Sequence, residues 1–196
     1  MNDISWVGSP NHYNGRNGYA ISHITLHIMV GTLTGTDSVF QCAGYASAHY
    51  GIGGNGEIHQ YVSESDGSWS DANYESNNST VSIEHEGGMA GVPCTRACMD
   101  ASAHLCADIA RRPGTDHAGC PDLAPNGLDV NYVINKANQL LGGNDMTSAA
   151  DVWNYNIGAD ATSGKDNQPA WTRLSWIHHD TAKLYSILTR TDDGGV

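Results

Sequence analysis

The segment Ile21 to Met29 constrains the architecture most, because it reads as a strand: Ile24, Leu26 and Ile28 fall on one face, Thr25, His27 and Met29 on the other. Successive side chains of a strand point to opposite faces, so a period of two marks a strand with one apolar and one polar side. The polar side here carries an imidazole. A second such segment, Ser79 to Glu86, sets Val81, Ile83 and His85 against Thr80, Ser82, Glu84 and Glu86. Between them, Ala48 to Val62 reads as a hairpin, with Gly53-Gly54-Asn55-Gly56 supplying the positive-φ positions of a tight turn.

Two helical patterns follow. Thr95 to Arg112 carries Cys98, Ser102, Leu105, Cys106 and Ile109 on one stripe. Val130 to Leu141 places Val130, Val133, Ile134, Ala137, Leu140 and Leu141 at helical spacing, with Asp129 as N-cap and Gly142 as the stop. Strands interleaved with helices predict an α/β or α+β fold, a sheet flanked by helices. Residues 1–141 form this domain, residues 142–150 (Gly-Gly-Asn-Asp-Met-Thr-Ser-Ala-Ala) read as a linker, and residues 151–196 form a tail too short for its own core. In that tail Leu174, Ile177, Thr181, Leu184 and Leu188 mark one apolar stripe of a short helix, suited to docking, homo-oligomerisation or targeting. The adjacent pair His178-His179 points in two directions on such a helix and reads as a solvated face.

Composition excludes some partners. A net charge of -12 with only nine Lys and Arg argues against nucleic acid, whose phosphates need clustered cations. No stretch approaches the roughly 20 apolar residues of a membrane span. The start, Met-Asn-Asp-Ile-Ser-Trp, shows neither a basic nor an apolar signal-peptide region, so the expectation is synthesis in the cytoplasm and action after release. The five cysteines, Cys42, Cys94, Cys98, Cys106 and Cys120, read as mostly reduced thiols with one candidate ligand.

Three residues can carry chemistry. His27, in mid-strand among apolar neighbours, is either a satisfied core histidine or a ligand. Cys120, in Gly119-Cys120-Pro121-Asp122, is either inert or, as a thiolate, a soft ligand for Zn²⁺. Glu84 either faces solvent or lines a cleft, where beside a metal it can act as general base.

The order Ile24-Thr25-Leu26-His27, then Ser47-Ala48-His49-Tyr50-Gly51-Ile52-Gly53-Gly54-Asn55-Gly56-Glu57-Ile58-His59-Gln60-Tyr61-Val62, then Val81-Ser82-Ile83-Glu84-His85-Glu86-Gly87, then Gly119-Cys120-Pro121 resembles the type 2 N-acetylmuramoyl-L-alanine amidases. These include phage endolysins, bacterial amidases and animal peptidoglycan-recognition proteins. The resemblance implies a central mixed sheet flanked by helices and a zinc ion in a cleft at one end. His27 matches the first ligand, Cys120 the last, and Glu84 the acidic residue beside the attacking water. The implied substrate is peptidoglycan, cut at the amide between N-acetylmuramic acid and the L-alanine of the stem peptide. Three protein ligands leave zinc an open position that lowers the pKa of water toward roughly 7. His49, Tyr50 and Trp69 either line the substrate groove or serve as packing residues.

One part of the pattern is missing. In such proteins a strand after the long helix delivers the second His ligand, yet here Arg112 runs into Pro113-Gly114-Thr115-Asp116-His117 without room for that strand, as though some twenty residues were absent. His117, in a His-x-x-Cys spacing with Cys120, is then the best remaining ligand, and His104 on the helix a weaker substitute. The expected activity is that of a phage or prophage endolysin. The rivals are a peptidoglycan-binding module that does not cut and a phage structural protein with an amidase-like core.

Overall fold

The computed structural model describes residues 3–112, 117–119, 127–142 and 147–148. Along the chain run β1 (Ile4–Trp6), β2 (His12–Tyr13), β3 (His23–Ile28), α1 (Leu33–Gln41), β4 (Tyr50–Ile52), β5 (Ile58–Gln60) and β6 (Gly67–Ser68). They are followed by α2 (Tyr74–Ser79), β7 (Thr80–His85), α3 (Arg96–Ala110), β8 (His117–Gly119), α4 (Val130–Leu141) and β9 (Thr147–Ser148). Seven strands form one sheet in the order β1-β5-β4-β7-β3-β8-β9, and β2 pairs with β6 in a separate ribbon. Only the β4–β5 hairpin is antiparallel within the large sheet, so the sheet is mixed, as expected.

The alternation of β3 decides the layers. Ile24 and Leu26 join Ile52, Val81 and Ile83 on one face, where α3 and α4 cover them with Cys98, Leu105, Cys106, Ile109, Val133 and Ile134. Each large aliphatic side chain fully withdrawn from water here contributes about 1.5–3 kcal/mol. Both helices begin as their sequences require. The Thr95 side chain accepts from the Cys98 amide, and the Asp129 carboxylate accepts from the Tyr132 amide. Gly142, at φ 74°, ends α4 in the left-handed conformation that glycine adopts without steric cost.

On the opposite side α1 brings Phe40 edge-on against Tyr61, with ring centroids 4.9 Å apart, in a smaller cluster with Ala48 and Val62. Tyr61 crosses β4 at Gly51, where a Cβ would lie 2.8 Å from its hydroxyl. That close approach explains the glycine in mid-strand.

Two short strands carry no period that the sequence could show. Three residues, His117–Gly119, follow α3 and pair in parallel with β3, with Ala118 opposite Ile24 and Gly119 opposite Thr25. Three residues are too few to write a readable repeat, although Ala118 is buried in the main core. Thr147–Ser148, inside the stretch read as a linker, adds to the sheet as β9. The expectations for residues 151–196 lie outside the described residues. Among the described residues no helix is long and apolar enough to cross a membrane.

Candidate active site

The polar face of β3 and β7 is the starting point. Parallel pairing sets His27 directly opposite Glu84. Residues opposite each other project to the same side of a sheet, so the two predicted chemical groups are neighbours near the C-terminal ends of their strands. His27 is buried and Glu84 is half-buried. The next strand, β4, presents Gly51 opposite Glu84, so no side chain crowds the carboxylate from that strand.

Behind His27 stands Asp71, on the turn between β6 and α2. His27 Nε2 lies 2.9 Å from Asp71 Oδ1, and both side chains are 6 % exposed. The same carboxylate accepts from the hydroxyls of Ser70 (2.7 Å), Ser76 and Thr25 (3.3 Å). Burial alone would raise the carboxyl's pKa. The hydrogen bond and charge of His27, with the Ser76 and Ser70 hydroxyls, outweigh it and hold Asp71 below the usual carboxylate range. The turn itself is pinned by Asn77 Oδ1, which accepts from the amides of Ser70 (3.0 Å) and Asp71 (2.7 Å). Asn73 caps α2 and so fixes where Ser76 and Asn77 sit.

Sequence reasoning missed Asp71, Ser76 and Asn77. Their run of small polar residues has no apolar period and reads as a loop. The available signal was the density of Ser, Asn and Asp just ahead of a strand already suspected of chemistry.

Trp69, two residues before Asp71, is partly exposed and packs tilted against Tyr13, with ring centroids 5.9 Å apart. Tyr13 in turn meets Tyr74 edge-on at 5.3 Å. The indole Nε1 of Trp69 is buried without a hydrogen-bond partner among the described residues.

Two residues read as either groove-lining or packing, His49 and Tyr50, are engaged inside the fold. His49 is 0 % exposed and both its ring nitrogens are engaged. The Ser82 amide donates to Nδ1 (3.1 Å), which leaves Nε2–H to donate to the Asp66 carbonyl (3.0 Å). Burial first, and then the Arg16 guanidinium 3.0 Å from Nε2, push its pKa down to about 3. His49 is therefore a neutral interior linchpin. Tyr50 projects to the α3 side of the sheet, within the main core, and its hydroxyl donates to Glu64 Oε1 (2.6 Å).

The register of β8 sets the His117 backbone level with His23, four positions before His27 and roughly 13 Å along the strand direction. Cys120 lies outside the described residues, directly after Gly119 in the chain. His104 is exposed on α3. Cys42, Cys94, Cys98 and Cys106 are free thiols. Among the described residues no three His, Cys, Asp or Glu side chains group as a metal site.

The fold has solved counterparts. An AmpD structure superposes with a TM-score of 0.58 at 18 % identity, covering 69 % of this chain and 95 % of that one. The N-acetylmuramoyl-L-alanine amidase LysC from Clostridium intestinale gives 0.56 at 15 % identity, over 70 % and 99 % of the two chains. The bumblebee peptidoglycan-recognition protein PGRP-SA gives 0.50 at 11 % identity, over 67 % and 95 %. At these identities the likeness concerns the fold. No curated protein matches the chain significantly in sequence. The profile of the Amidase_2 family, described as N-acetylmuramoyl-L-alanine amidase, matches residues 17–134, more than half of the chain and the whole of the His27–Glu84 pair with its supports. On that match, the chain belongs to the N-acetylmuramoyl-L-alanine amidase family.

Proposed function

We propose that this chain is a zinc-dependent hydrolase of peptidoglycan that cuts the amide between N-acetylmuramic acid and the L-alanine of the stem peptide, as a phage or prophage endolysin. The observation that carries the reading is the pairing of His27 with Glu84 on the polar face of a sheet of amidase fold, with a buried carboxylate behind the imidazole. A histidine whose second nitrogen donates to a carboxylate is the usual form of a metal-ligating imidazole, so the donor chemistry at His27 fits zinc. The proposed ligands are His27, Cys120 and His117. His117 needs its own test, because the register of β8 sets its backbone four positions from His27 along the strand. When bound, the ion supplies Lewis acidity to water and to the scissile carbonyl.

The remaining roles belong to the chain. Glu84, opposite His27, accepts the proton of the attacking water and passes it to the departing L-alanine amine. Trp69 lines the groove, where a substrate carbonyl can meet its buried indole N–H and offset the cost of leaving that donor unpaired. Peptidoglycan is the partner this reading requires.

A second reading, a module that holds muropeptide without cutting, draws on one observation, the distance of the His117 backbone from His27. Zinc content of the purified protein, together with turbidity loss and newly freed L-alanine amino termini on purified walls, separates the two. Zinc at one equivalent with release of L-alanine termini supports the amidase. Wall binding with neither overturns it.

A further inference from the structure

We infer that Asp71 is the positioning residue of the site: it holds His27 in the tautomer protonated on Nε2, so that Nδ1 is the nitrogen that meets the metal. The inference rests on His27 being a ligand, as proposed above. It adds which nitrogen is used and which residue decides this.

The geometry leaves Asp71 few other roles. Its carboxylate is buried beneath the sheet's polar face, where an ionised group without partners costs several kcal/mol. The fold meets that cost with four donors from three separate elements: His27 and Thr25 from β3, Ser70 from the turn, and Ser76 from α2. A purely structural core would reach equal stability with apolar side chains of similar size. The helix that supplies Ser76 is only six residues long, and Asn77 ties that helix to the backbone of Ser70 and Asp71. The whole segment from Ser70 to Asn77 thus converges on one carboxylate.

A separation of 2.9 Å between His27 Nε2 and Asp71 Oδ1 leaves no space for an ion between them, so Asp71 acts on the metal through His27. The two ring nitrogens are distinct, and the hydrogen bond made by one selects the role of the other. A carboxylate acceptor also makes the imidazole a more basic ligand than a neutral acceptor would.

The test uses the full chain. Nitrogen chemical shifts of the His27 ring in metal-free protein report the tautomer directly. Zinc affinity by chelator competition reports its consequence. Wild type should show Nε2 protonated and Nδ1 bare. Asp71→Asn keeps an acceptor but removes the charge, and should weaken zinc binding about 10- to 100-fold, with both tautomers becoming populated. Ser76→Ala loosens the carboxylate without touching His27 and should give a smaller loss in the same direction, which keeps the inference testable if Asp71→Asn fails to fold. Asp71→Glu, which preserves charge, should recover part of the affinity that Asp71→Asn loses. The inference is overturned if metal-free His27 carries its proton on Nδ1. It is also overturned if Asp71→Asn or Ser76→Ala binds zinc as wild type does while His27→Ala does not. Should His27→Ala itself retain zinc, the ligand assignment fails and takes this inference with it, whatever the tautomer.

Discussion

His49 gives the fold an acid-sensitive joint whose size can be worked out. In the unfolded chain its pKa is near 6.5, whereas in the folded chain burial and the neighbouring Arg16 guanidinium lower it to about 3. Above pH 6.5 both states are neutral at this site and it contributes no pH dependence. As pH falls below 6.5 the unfolded state takes up a proton that the folded state refuses, so stability drops until about pH 3. With about 1.4 kcal/mol for each unit of pKa difference, the loss from this residue between pH 7.5 and 4.5 is on the order of 3 kcal/mol. The perturbation is His49→Gln, which removes the titrating group and leaves an amide able to bond nearby backbone. Urea unfolding of both proteins at pH 7.5, 5.5 and 4.5 isolates the effect, because acidic residues shared by the two chains cancel in the difference. The wild type should be the more stable at pH 7.5, and its advantage should shrink by roughly 3 kcal/mol at pH 4.5. An advantage that stayed constant across that range would refute the burial argument for His49.

Other outcomes follow from the site and the core. His27→Ala and Cys120→Ala should each abolish zinc retention and wall hydrolysis, read by metal analysis and turbidity. Glu84→Gln should keep zinc but lower turnover roughly 100- to 10,000-fold, and unchanged hydrolysis would remove its role as base. Chelation should silence the protein and added zinc restore it, followed as release of L-alanine termini. Gly51→Ala forces a methyl group to within 2.8 Å of the Tyr61 hydroxyl and 3.1 Å of Leu33, and should cost about 1–3 kcal/mol in urea unfolding. Leu105→Ala empties a fully packed position of α3 and should cost about 2–5 kcal/mol while leaving zinc affinity unchanged.

The parts of the fold legible in the sequence are those whose side chains carry a period. β3, β7, α3 and α4 each bury one face against a neighbour, and burial writes the strand or helix repeat into the residues. The β4–β5 hairpin was readable through its glycine turn. α1 escaped because only Leu33 and Phe40 of its nine residues are buried and Gly35 sits among them. α2, with the sequence Tyr-Glu-Ser-Asn-Asn-Ser, buries polar side chains and has no apolar stripe to show. β8 is only three residues long, too short to show a period, even though Ala118 is buried in the core.

The candidate site was legible to the same degree. His27 and Glu84 stood out because a polar group in the middle of an apolar strand is unusual, and the structure sets them side by side. Their supports were invisible because Asp71 reaches His27 across 44 residues of chain, and Ser76 and Asn77 act only by holding Asp71. His49 and Tyr50 misled for the opposite reason. These neighbours in the chain look to opposite sides, His49 into the hydrogen-bonded interior and Tyr50 toward α3.

The two-sided use of β3 also says which genetic changes this segment can absorb. Replacing one side chain disturbs one face, so many single exchanges at Ile24, Leu26 or Ile28 leave a working protein. Deleting or inserting one residue between His23 and Ile28 rotates every later side chain to the other side, sending Leu26 toward the chemistry and His27 into the oil. A library of such variants should therefore show β3 as a stretch that forgives spelling changes but not frameshifts of a single codon's length.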